Sequence, residues 1–150
     1  FSKKTWHHFT VCSTPEHSSM VKYKQIGYDN IIEANWHSNL KLYKNMPFER
    51  MTVPISFAGS ITDSRKIFFN VCDSTIQTTS GVSHSEMLQV HSNSKIGLNL
   101  SKNDNDPKKK TQMKQRLFEV VAGNTLLLTE HHDGLERYFK IDKEIVSLNQ

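Results

Sequence analysis

The segment Thr125-Leu126-Leu127-Leu128-Thr129 restricts the fold of this chain more than any other. Three consecutive leucines among β-compatible residues leave no polar face. A strand with one wetted side would alternate, so this run predicts a strand buried on both faces. The residues before it carry a different period. Met113, Leu117, Val120 and Val121 recur at helical spacing and Gly123-Asn124 closes the pattern, which predicts a helix over Thr111 to Ala122. A doubly buried strand behind an amphipathic helix is half of a crossover unit, and crossovers build parallel sheets.

The alternation extends along the chain. His8 to Cys12 predicts a short strand. Thr14 is placed to cap a helix with Pro15 at its first position, running to about Ile26 and ended by Gly27. Asn30 to Ala34 predicts a strand, and Asn35 to Met51, which has no clean period, a connector. Thr52 to Ala58 is β-branched and apolar and meets Gly59-Ser60. Thr62-Asp63-Ser64 offers caps for a helix carrying Ile67, Phe68, Val71 and Cys72. A weak strand over Ser74 to Ser80, a helix over Ser83 to Ser92 and a strand over Ser94 to Leu100 follow. Ser101 to Lys110 reads as a polar loop, Asp133 to Phe139 as a short helix and Glu144 to Leu148 as the last strand. The expected fold is α/β: a Rossmann-like, mostly parallel sheet flanked by helices, with a short N-terminal β-α-β piece and a connector.

Composition removes several classes. The chain has 150 residues, room for one principal core. With 19 Lys and Arg against 15 Asp and Glu, the net charge of +4 suits a phosphate-bearing ligand. It falls short of the dense charge of a nucleic-acid binder, and no aromatic residue interleaves Lys108-Lys109-Lys110, so no nucleic-acid partner is expected. No apolar stretch approaches the ~20 residues of a membrane span. Lys3, Lys4, His7 and His8 interrupt the apolar run that a leader needs. Cys12 and Cys72 are far apart and follow no metal spacing, which reads as buried thiols in a reducing compartment. A cytoplasmic protein is therefore expected, and Phe1 in place of Met suggests a fragment of a longer one. His7-His8 and His131-His132 are adjacent pairs rather than the i, i+4 clamp of a helical zinc site; no metal and no cofactor are expected. Nucleophile-elbow, zinc-protease, phosphate-loop and dithiol motifs do not occur. Asn99-Leu100-Ser101 matches a glycosylation acceptor but falls in a predicted buried strand.

Parallel sheets bind ligands beyond the carboxyl ends of their strands. That places interest on Gly59-Ser60, on Ser101 to Thr111 and on Glu130 to Gly134. Gln112, Arg116 and Glu119, spaced i, i+4, i+7, share one face of the predicted helix. Glu119 stands between Leu117-Phe118 and Val120-Val121-Ala122, so its carboxylate is partly buried and needs a partner. One reading is an Arg116–Glu119 surface pair, worth a few tenths of a kcal/mol, roughly. The other is a carboxylate that accepts hydrogen bonds from a polyol such as a ribose, with Arg116 and the helix-start amides facing phosphate. Gly59 permits close backbone approach and Arg65 could supply a bidentate phosphate contact; equally, Gly59-Ser60 is a plain tight turn.

The segment Gln112-Met113-Lys114-Gln115-Arg116-Leu117-Phe118-Glu119, then Gly123 to Glu130, then Gly134 to Phe139, resembles the C-terminal domain of a glycosyltransferase group. The group has the GT-B fold and includes spore-maturation (CgeB-type) proteins. Tyr23 to Trp36, Ser56-Phe57-Ala58-Gly59-Ser60 with Arg65, and Ser94 to Ser101 are similar in the same order, so the likeness covers roughly Tyr23 to Leu148. It implies a two-domain enzyme whose C-terminal domain binds a UDP- or GDP-linked sugar and whose N-terminal domain binds an acceptor, here unidentified. Residues 1–50 would then be the end of the N-terminal domain and the connector, and 51–150 the donor domain. Glu119 matches the ribose-contacting Glu of the group; Gly59 and Arg65 match its phosphate-side loop, and Gly59, Ser60, Arg65, Gln112, Arg116 and Glu119 are the expected donor-binding residues. One departure is Thr111, which stands where related enzymes carry a second acid, so the catalytic residue stays open. Without most of an N-terminal domain the chain is expected to bind donor and transfer nothing. The alternative is a non-catalytic α/β interaction or signalling module.

Overall fold

The computed structural model describes residues 5, 8–44, 46–72, 76–102 and 111–148. Lys3, Lys4, His7 and Lys108-Lys109-Lys110 lie outside them. Two units are present, Phe1–Trp36 and His37–Gln150.

In the first unit, β1 (Cys12–Thr14) and β2 (Ile31–Glu33) pair in parallel across α1 (His17–Gln25). The first strand lies later than the expected His8 to Cys12, because the ladder is made by Cys12, whose N–H reaches Asn30 O, and by Thr14, whose carbonyl receives Ala34 N–H. Phe9 and Val11 are consequently exposed. The helix also starts later than Pro15: Glu16 is extended, and its N–H is held by Thr14 Oγ1 at 3.3 Å. Gly27 ends it as expected, at φ +90 with Tyr28 N–H bonded back to Tyr23 O. Both cysteines are free and half-buried rather than buried.

The second unit holds a five-stranded sheet in the order β4-β3-β5-β6-β7, parallel throughout. Its strands are β3 (Val53–Ala58), β4 (Ile76–Thr79), β5 (Ser94–Asn99), β6 (Leu126–Glu130) and β7 (Val146–Leu148), and its helices α2 (Asp63–Val71), α3 (His84–Ser92) and α4 (Arg116–Ala122). This is the α/β, Rossmann-like arrangement the alternation predicts. The leucine run is covered on both faces at Leu127 and Leu128, while Leu126, where the strand begins, is 43% exposed. Leu127 joins Met113, Leu117, Val120, Leu135 and Ile145 on the α4 face, while Leu128 packs with Phe57, Leu98, Phe68 and Phe69 on the α2 face.

Three expectations need correction. The helix predicted from Thr111 begins only at Arg116. Thr111 Oγ1 donates to His131 O at 2.9 Å, Gln112 N–H reaches Ser101 Oγ at 3.4 Å, and Met113 is buried in the core. Ties to two neighbouring strand ends outweigh the local helical period there. The helix predicted over Asp133 to Phe139 shrinks to a 3-10 turn, Leu135–Arg137, behind Gly134 at φ +94. Thr62 occupies the N-cap of α2, yet its hydroxyl meets Ser64 Oγ rather than a helix amide. By contrast, Ser83 and Glu86 form a complete capping box on α3.

Candidate functional site

β3 pairs with β4 on one side and β5 on the other, and the chain leaves β3 towards α2 but leaves β5 towards α4. The crevice between those departures is where open parallel sheets bind ligands. Gly59 and Ser60 close β3 there; Leu100 and Ser101 close β5.

Arg65, on the first turn of α2, spans the crevice. Its Nη1 donates to Ser60 O at 2.7 Å and its Nη2 to Leu100 O at 2.6 Å. The guanidinium read from sequence as a phosphate contact therefore staples the two loops, while leaving its positive charge at the edge. Glu130 fixes the next loop: its Oε2 receives the N–H groups of Ser101 at 2.6 Å and Lys102 at 2.9 Å. A cleft of about 390 Å³ opens on this side, lined by Arg65, Leu100, Lys102 and Glu130.

Arg116 begins α4. Its guanidinium carbon lies 4.8 Å from the centre of the Phe57 ring, and that of Arg65 lies 5.3 Å from it. Gly59 sits at φ +153, and a Cβ there would collide with the Arg116 guanidinium. The backbone conformation favours glycine, and a Cβ would displace the Arg116 guanidinium from this position. Arg116 makes no hydrogen bond or ion pair to any described residue, and its Nε is buried without a partner. Burial, and then the charge of Arg65, push its pKa down to about 10, with Glu119 opposing. A cation held this way favours an incoming anion.

Glu119 lies one turn further along α4 and is only 6% exposed. The surface pair with Arg116 is not formed; Gln115 Nε2 donates to Glu119 Oε1 at 2.9 Å instead. Burial raises the Glu119 pKa above the ordinary carboxylate value, against the charges of His84 and Arg116 and the Gln115 hydrogen bond. Tyr43 is close enough for Glu119 to raise its pKa, although burial is the larger cause; its hydroxyl meets Ser38 Oγ at 2.7 Å. Gln112 does not share the helical face with Arg116 and Glu119, because α4 starts after it.

The structure thus joins Gly59, Ser60, Arg65, Arg116 and Glu119 around one edge and leaves Gln112 on the approach to it. Sequence reading missed Phe57, His84 and Tyr43. The Ser83-x-x-Glu86 capping box was a readable signal for His84, since it sets the start of α3 at the carboxyl edge. Phe57 and Tyr43 had none. Thr111 has its hydroxyl committed to His131 O. Among the described residues no group of three His, Cys, Asp or Glu is arranged to hold a metal ion, and no helix is long and apolar enough to cross a membrane.

A parallel sheet with a buried carboxylate and an unpaired guanidinium at its crevice marks an α/β domain with a candidate ligand-binding edge. The family model described as glycosyl transferase-like matches residues 24–150, and the chain belongs to that family. No curated protein and no solved structure matches it.

Proposed function

We propose that residues 51–150 form the donor domain of a GT-B glycosyltransferase and bind a nucleoside diphosphate sugar, UDP- or GDP-linked. The observation that carries this is the pairing of Arg116, without a counterion among the described residues, with Glu119, a buried carboxylate with Oε1 on Gln115. A nucleotide sugar presents the complementary groups, a diphosphate and a vicinal diol. The diol hydroxyls donate to Glu119, and the diphosphate takes Arg116 together with the backbone at Gly59-Ser60. Arg65 adds long-range charge while holding the loops.

Transfer breaks the bond from the sugar C1 to the diphosphate oxygen, and the electron pair leaves on that oxygen. The acceptor oxygen forms the new bond and gives up its proton. Arg116 acts on the departing charge, which grows in the transition state, so its contribution is to rate as well as affinity. The base for the acceptor proton stays open, because Thr111 stands where related enzymes carry a second acid. Residues 1–50 read as the end of an acceptor domain and its connector, with the rest of that domain supplied by a longer cytoplasmic protein. Bringing acceptor to donor lowers a barrier by about 7–11 kcal/mol in favourable cases. The 150 residues alone then bind donor without turnover.

Ligand-observed NMR of this chain with UDP, GDP and their sugars is the test. Binding at micromolar to millimolar concentration is expected, weakened about tenfold or more in Glu119→Gln, in line with the roughly 1.5–3 kcal/mol of hydrogen bonds to a charged group. Absence of binding by every nucleotide at millimolar concentration overturns the reading.

A further inference from the structure

A groove of about 550 Å³ runs between α3 and the segment that precedes β3. Its volume is that of a site for a small organic molecule. Leu42 and Met46 supply the apolar lining over a floor formed by Leu88, itself 5% exposed, and Lys44, Arg50 and His84 supply the ionisable groups; no Asp or Glu among the described residues lines it. Lys44 and Arg50 make no side-chain hydrogen bond or ion pair to any described residue, and Leu42 is 55% exposed. Unpaired cations of one sign beside uncovered apolar surface are the complement of a ligand with an anionic head and a short apolar chain. The neutral polar groups at the β3 end do not compete for that head. Thr52 N–H donates to Asn93 Oδ1 at 3.1 Å and Asn93 Nδ2 donates to Thr52 Oγ1 at 2.9 Å, so the two satisfy each other.

We propose that this groove is a second binding site, for a single alkyl phosphate-like amphiphile, with the phosphate on Lys44 and Arg50 and the chain on Leu42, Met46 and Leu88. A phosphate suits Arg50, whose planar fork matches it, and a second cation on the same groove suits its double charge. His84 is shared with the crevice edge, where its charge acts on Glu119, but neither Arg116 nor Glu119 lines the groove, and Lys44 and Arg50, which carry the proposal, take no part in the nucleotide-sugar reading.

The test is amide-resolved NMR titration of the whole chain with decyl phosphate below its micelle concentration, beside inorganic phosphate and decyl maltoside. The expected result is saturable shifts at Leu88 and Gln89 with decyl phosphate, and at least tenfold weaker binding of both controls. The double variant Lys44→Gln/Arg50→Gln should weaken decyl phosphate at least tenfold while leaving the rest of the spectrum unchanged, since both side chains are exposed. Equal affinity in that variant, equal affinity for the maltoside, or no saturation at all overturns the proposal. So do shifts confined to Gly59 and Glu119, which would place the phosphate at the crevice instead.

Discussion

His91 is the most consequential buried group outside the crevice. It is fully buried on α3, and neither Nδ1 nor Nε2 has a hydrogen-bond partner. Burial, assisted by the charge of Arg116, pushes its pKa down from 6.5 to about 4. The folded protein therefore keeps the neutral ring where the unfolded chain takes up a proton. Above about pH 7 both states are neutral and the residue contributes no pH dependence. From about 6.5 down to about 4 the unfolded state binds the extra proton, so stability falls as pH falls. At about 1.4 kcal/mol per pH unit, the loss accumulates to about 3 kcal/mol. That is a large share of the roughly 5–15 kcal/mol of a typical domain. Replacing His91 with Leu removes the titration and sacrifices no hydrogen bond. At neutral pH the variant should stay within about 1.5 kcal/mol of the parent, as near-isosteric core swaps do. Urea unfolding of both proteins at half-unit steps from pH 7.5 to 4 is the assay. The difference in unfolding free energy should swing by about 3 kcal/mol in favour of His91→Leu as the pH drops. Parallel pH profiles for the two proteins would refute the reasoning, because the other histidines and the acids are common to both.

Other substitutions test the packing and the site. In Gly97→Ala, the new Cβ lies 2.5 Å from Val120 Cγ1 and 3.2 Å from Thr125 Cγ2, so thermal or urea unfolding should show a loss of about 1–3 kcal/mol through overpacking. Arg65→Lys cannot hold both Ser60 O and Leu100 O in the same fork, and about 1–3 kcal/mol of stability should be lost, with broadened amide signals at Ser60 and Ser101. Glu119→Gln should raise the melting temperature at pH 7 even as nucleotide binding weakens. The folded-state pKa of Glu119 is raised, so its stability contribution is greatest below the ordinary carboxylate pKa and is lost as pH rises through the folded value. An unchanged or lower melting temperature at pH 7 would contradict that sign.

What was legible in the sequence followed from burial. The carboxyl halves of β3 and β5 and the middle of β6 are covered on both faces, and Leu127-Leu128 reads that way in the sequence. Gly59, Arg116 and Glu119 stood out because each breaks the pattern of its element: a glycine at a strand end, and charges on an apolar helix. The start of α4 was not legible, since Thr111 and Gln112 are held by His131 and Ser101, partners 20 and 11 residues away. Local periodicity carries no record of such ties. The same holds for Arg65: its charge is visible in the sequence, but the carbonyls that take up its donors become neighbours only when β3 and β5 pair. Phe57 looked like one more core residue, and only the folded edge shows two guanidinium groups against its ring.

The staple made by Arg65 also acts as a mechanical yoke. A parallel sheet has no covalent tie across the point where its two halves diverge, so the loops after β3 and β5 would otherwise be independent levers. Because one rigid, planar group on α2 grips a carbonyl of each, a tilt of α2 displaces both lips of the crevice in the same direction and by similar amounts. The far end of that helix carries Val71, 82% exposed, while Ile67 lines the cleft beside Arg65. Pressure applied at Val71 is therefore expected to move the two lips together instead of prising them apart.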